Sequence, residues 1–66
     1  MPFVNIRIVE GHSPARKDEM ARRIAATISE VAEVPQEAIW VVFEDVKADE
    51  WYVGADSVAV LRARAG

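Results

Sequence analysis

The chain has no cysteine, one histidine (His12), three glycines and three prolines among its 66 residues. Without cysteine there is no disulfide to staple a small fold, and one histidine cannot assemble an ordinary Cys/His zinc centre. Three separated glycines make no phosphate-binding loop, which removes the usual means of holding a nucleotide. Positive charge is scarce as well: eight Lys and Arg stand against eleven Asp and Glu, a formal charge of -3, so no basic face marks a nucleic-acid partner. No stretch is long enough to span a bilayer, and no signal peptide is visible. The expectation is a cytoplasmic protein that needs no metal or cofactor and has no nucleic-acid or membrane partner.

What is present is apolar side chain in excess. Hydrophobic residues make up 52% of the chain, yet a domain of this size buries only about 60% of the surface its unfolded form exposes. Residues 1–66 are therefore expected to form a single domain that completes its core by oligomerising.

Residues 3–9 alternate, with Val4, Ile6 and Ile8 on one face and Phe3, Asn5, Arg7 and Val9 on the other, as a strand requires. Glu10-Gly11-His12 reads as a turn, Ser13 as a helix N-cap and Pro14 as the first helical residue. Met20, Ile24, Ile28 and Val31 then recur at three- and four-residue spacing opposite Lys17, Arg22, Arg23 and Glu30, predicting an amphipathic helix over residues 14–32 that Pro35 stops. Residues 39–44 are β-branched and aromatic, predicting a second strand buried on much of both faces. A strand, a helix of roughly twenty residues and a strand make a right-handed βαβ unit with parallel strands. Residues 45–50 read as a charged loop, residues 51–54 as a short strand or hairpin arm, residues 57–61 as an apolar piece, and residues 62–66 as a mobile tail.

Chemistry begins at Pro2. A small second residue favours removal of Met1, which would leave a secondary amine on a rigid ring as the amino terminus. Free α-amino groups titrate at about 7.7 to 8.0, near enough to neutrality for one to act as a base. Many chains begin Met-Pro for no chemical reason, so this residue alone decides little. Glu44 and Asp45 are adjacent on a strand and cannot face each other, which makes them strand-end solvation rather than a catalytic pair. Tyr52 alternates away from Trp51, so only one of the two is expected to line a pocket.

Taken together, Pro2, a strand ending Val9-Glu10-Gly11, a turn into Ser13, a helix of this length, Pro35, a strand ending Phe43-Glu44, and Trp51 followed by Gly54 resemble the 4-oxalocrotonate tautomerase family over residues 2–61. The resemblance implies an α+β fold: a β-α-β tautomerase protomer with parallel strands, one long amphipathic helix and a short C-terminal hairpin or strand, assembling into a homo-oligomer, a hexamer built as a trimer of dimers. It also implies a cofactor-independent isomerase whose amino-terminal proline is general acid and base in enol-keto proton transfer within a small enolisable 2-oxo acid. Pro2 takes the catalytic position. Among substrate-binding positions, Trp51 takes that of the pocket aromatic and Val9 that of a backbone contact, while His12 and Trp40 stand where the family normally holds arginines that grip carboxylates. An imidazole and an indole do not replace a bidentate guanidinium, so the expected substrate is an aryl or alkyl monoacid rather than a dicarboxylate. Arg7, Arg16, Arg62 and Arg64 are candidates for a substitute cation. Loss of both arginines also leaves an alternative, a non-catalytic or partner subunit of a mixed tautomerase-like oligomer.

Overall fold

Seven residues of alternating pattern at the start of the chain pair with a strand that lies thirty residues further on. In the computed structural model, which describes all 66 residues, β1 (Phe3–Val9) is followed by α1 (Pro14–Ala32), β2 (Trp40–Val46), β3 (Tyr52–Val53), β4 (Asp56–Ser57) and α2 (Val58–Ala65). Single 3₁₀ turns occupy Gln36–Ala38 and Ala48–Glu50. β1 and β2 run parallel, in a register that sets Phe3 opposite Trp40, Arg7 opposite Glu44 and Val9 opposite Val46. β3 and β4 form a separate antiparallel hairpin.

Local chemistry fixes the ends of α1. The Ser13 hydroxyl accepts the backbone N–H of Arg16 at 3.2 Å, and Pro14 opens the helix. At the other end Glu33 turns left-handed, with φ 56°, and its N–H returns to the Ser29 carbonyl. The inward side chains of α1, Met20, Ile24 and Ile28, are half-buried with Val4, Ile6 and Ile8 of β1. Lys17 ties this helix to β2 through Asp45 at 2.6 Å. No helix is long and apolar enough to cross a membrane.

Several expectations need correction. β2 occupies Trp40–Val46 rather than residues 39–44, and it alternates: Val41 and Phe43 are half-buried on the helix side, whereas Trp40, Val42 and Glu44 are exposed. Its apolar richness serves an outer sheet face that no element of this chain covers. Val31, in the last turn of α1, is 76% exposed rather than part of the half-buried stripe. Asp45 and Val46 continue β2, and Ala48–Glu50 is a helical turn rather than a plain loop. The tail is helical: α2 is capped by Ser57, whose hydroxyl accepts the Val60 N–H, and it is held by Arg62 and Arg64.

Only Ile39, Ala48 and Ser57 are buried, so one copy of the chain has no closed core. Its accessible surface is 4953 Å², against about 4,200 Å² for a compact monomer of this mass. The radius of gyration is 15.1 Å, against about 11 Å for a compact domain of this length.

Candidate active site

Pro2 sits half-buried at the start of β1, and its carbonyl accepts the Trp40 backbone N–H at 3.0 Å. That bond extends the parallel ladder by one residue and holds the proline beside β2. The Trp40 ring leans on its cross-strand neighbour Phe3, with centroids 6.4 Å apart and planes at 49°. Both rings are exposed, at 61% for Phe3 and 55% for Trp40, on the outer sheet face, one residue out of phase with half-buried Pro2. Phe3 was legible as an outward strand residue, but its place beside Pro2 and Trp40 follows from the register alone. In the chain with Met1 attached, the Pro2 nitrogen belongs to a peptide bond.

Val9 and His12 lie at the opposite end of β1. Seven strand residues at roughly 3.3 Å each separate Val9 from Pro2 by about 23 Å. Val9 stands against Val46, and the Glu10 N–H donates to the Val46 carbonyl at 2.8 Å. The Glu10 side chain accepts the Ala48 N–H at 2.9 Å, which ties the strand end to the following turn. Gly11 has φ 122°, a value that side chains disfavour, and Arg62 closes over it, donating from Nη2 to the Glu10 carbonyl at 2.9 Å. His12 is half-buried, and its Nδ1 is buried with no hydrogen-bond partner. It lines an open depression of about 340 Å³ with Arg16, Glu19, Met20 and Arg23.

Trp51 lines a different hollow, of about 520 Å³, together with Arg7, Glu44, Val46, Glu50 and Tyr52. Trp51 and Tyr52 thus share one hollow, contrary to the alternation argument, because Trp51 precedes β3 instead of belonging to it. Glu44 and Asp45 are not merely solvated: Glu44 accepts from Asn5 at 2.8 Å and pairs with Arg7 at 3.6 Å, and Asp45 pairs with Lys17. Of the expected site residues, one protomer brings together Pro2 with Trp40, and Val9 with His12. It does not bring those two pairs together, and Trp51 lies near the Val9 end, beyond Val46.

Comparison with known proteins decides what this arrangement belongs to. The sequence model described as "Tautomerase enzyme" matches residues 2–61, a span that begins at Pro2. The chain belongs to the tautomerase family. This tautomerase-family chain is 42% identical over 52 residues to a probable tautomerase of Streptococcus thermophilus, covering 79% of the chain and 85% of that relative. A crystal structure of TomN, a 4-oxalocrotonate tautomerase homologue in the tomaymycin biosynthetic pathway, superposes with a TM-score of 0.90 at 31% identity, covering 98% of this chain and all of that one. A heterohexamer 4-oxalocrotonate tautomerase from Chloroflexus aurantiacus gives 0.87 at 32% identity, covering 94% and 100%. The β-α-β protomer with its parallel strands and C-terminal hairpin is the fold of these tautomerases.

Proposed function

We propose that this tautomerase-family protein catalyses enol-keto proton transfer in a small 2-oxo acid, with the Pro2 amine, freed by loss of Met1, as general base and then general acid. The neutral amine takes the enol hydroxyl proton. The oxygen lone pair closes the carbonyl, the carbon-carbon π pair moves to the neighbouring carbon, and that carbon takes the proton back from the ammonium, so protons and electrons balance without a cofactor. A base of near-neutral pKa and a donor toward the charged oxygen suffice for such a step. The observation that carries this reading is the placement of Pro2, half-buried at the start of β1 and joined through its carbonyl to the Trp40 backbone N–H, in a chain whose family match begins at that residue.

The exposed Phe3 and Trp40 rings next to this strand start favour a flat, apolar monoacid such as an aryl 2-oxo acid. Pro2 and the His12 end stand about 23 Å apart in one chain, so a site using both is shared between copies. The assembly we propose is a homohexamer, a trimer of dimers, in which the outer face of one sheet meets another subunit. Following ketonisation of the phenylpyruvate enol tests the reaction: the expected result is turnover above the buffer rate that disappears when the terminal amine is selectively modified. Turnover that survives complete modification of the amine contradicts it.

A second reading, a partner subunit of a mixed oligomer, is favoured by the absence of arginine at positions 12 and 40 and by the likeness to a heterohexamer. It predicts that the chain alone is inactive and gains activity only with an arginine-bearing relative.

A further inference from the structure

The sequence leaves open which cation receives an acidic substrate, and the side-chain geometry narrows four candidates to one. Arg7 pairs with Glu44 and shares its hollow with a second carboxylate, Glu50, so that hollow is net negative. Arg62 spends its guanidinium on the Glu10 carbonyl, and Arg64 pairs with Asp56 at 3.0 Å. Of the eight Lys and Arg, only Arg16 and Lys47 have neither an ion pair nor a side-chain hydrogen bond. Lys47 lines none of the depressions. Arg16 lines the same depression as His12, whose Nδ1 is itself buried and unpartnered.

We infer that Arg16, backed by His12, is the carboxylate-binding group of this protein, and that the depression they line takes the single carboxylate of a 2-oxo monoacid. The inference rests on the tautomerase reading above. The charges of the depression support it. Glu19, its one carboxylate, is already engaged by Arg23 at 2.7 Å and by Arg22 at 2.6 Å. The Arg23 hydrogen bond first, and the charges of Arg22 and Arg23 after it, hold this carboxyl below its ordinary pKa, so it stays ionised and matched. The charge of Arg16 is left over. Arg16 also stands in the first turn of α1, where the positive end of the helix dipole adds to the attraction for an anion. A guanidinium there presents two parallel donors to a carboxylate, and an imidazole at its side supplies a further polar contact. One anchoring cation of this kind suits a monoacid. A diacid would find no second free cation among the lining residues, because Arg23 is already paired with Glu19.

The test compares two enols, that of phenylpyruvate, which carries a carboxylate, and that of phenylacetaldehyde, which does not. In Arg16→Gln the ratio of kcat/KM for the acid to kcat/KM for the neutral enol should fall about tenfold to a hundredfold, through KM, the range expected for a lost charge-assisted hydrogen bond. Arg16→Lys should recover part of that ratio, and Lys47→Gln, the other unpaired cation, should leave it unchanged. An unchanged ratio in Arg16→Gln, or an equal fall in Lys47→Gln, overturns the inference. If the wild type converts neither enol, the tautomerase reading fails, and the subsite is then read directly by calorimetric binding of phenylglyoxylate. Weaker binding to Arg16→Gln than to wild type supports the subsite, and equal binding overturns it.

Discussion

In the proposed site Trp40 would present a substrate with an aromatic face where a guanidinium would present two donors and a permanent charge, and His12 would make a comparable exchange at the other end of the sheet. Each charge-assisted hydrogen bond forgone is worth about 1.5 to 3 kcal/mol, or roughly one to two powers of ten in binding. A muconate-type diacid should therefore be a poorer substrate than an aryl 2-oxo monoacid. Trp40→Arg and His12→Arg together should raise kcat/KM on the diacid by about tenfold or more and lower it on the aryl acid, with His12→Arg alone gaining less. Steady-state kinetics on both substrates checks this. A wild-type protein that already prefers the diacid, with neither substitution moving the ratio, would remove Trp40 and His12 from the pocket.

At the scale of elements, α1 ends on a residue in the wrong conformation for its side chain. Glu33 holds φ 56°, a left-handed value that glycine adopts without steric cost. Glu33→Gly relieves left-handed strain of about 1 to 2 kcal/mol against an added chain entropy of about 0.4 to 1 kcal/mol, so it should stabilise the protein by about 0.5 to 1 kcal/mol and raise Tm by roughly 2 to 8 °C in a domain of this size. Thermal unfolding followed by circular dichroism reads it, and a lowered Tm would mean that the glutamate makes contacts that outweigh its backbone strain. The elements that could be read from sequence were those fixed by neighbouring residues. The alternation of β1, the Ser13-Pro14 start of α1 and the Pro35 stop are local signals, and each is where the sequence places it. α2 escaped because Val58–Ala65 has no apolar stripe at helical spacing. It is held by Ser57 at its start and by the reach of Arg62 to Glu10, fifty-two residues away, a contact that composition cannot announce. The site was legible in the same uneven way. Pro2 could be singled out only together with the rest of the pattern, the pairing of Phe3 with Trp40 depends on register, and the singling out of Arg16 depends on knowing which carboxylate or carbonyl every other arginine has found.

For the molecule as a whole, the decisive fact is how little one copy buries. Met1, Phe3, Trp40 and Val42 line an exposed stretch of the sheet's outer face, and Tyr52 and Val53 leave the hairpin equally bare. Apolar surface of this extent on so small a chain calls for a partner. Native mass spectrometry at micromolar concentration should show an oligomer, with six copies the expected number, and a folded, stable monomer would contradict both the shared site and the assembly. The central claim remains that a free amine on Pro2 moves the proton. The most direct measurement couples intact mass to activity: protein whose mass shows Met1 removed should convert the phenylpyruvate enol, and protein confirmed to retain Met1 should be folded, oligomeric and inactive. Equal turnover by the two forms would contradict the account, because a proline nitrogen inside a peptide bond has no lone pair free to accept a proton.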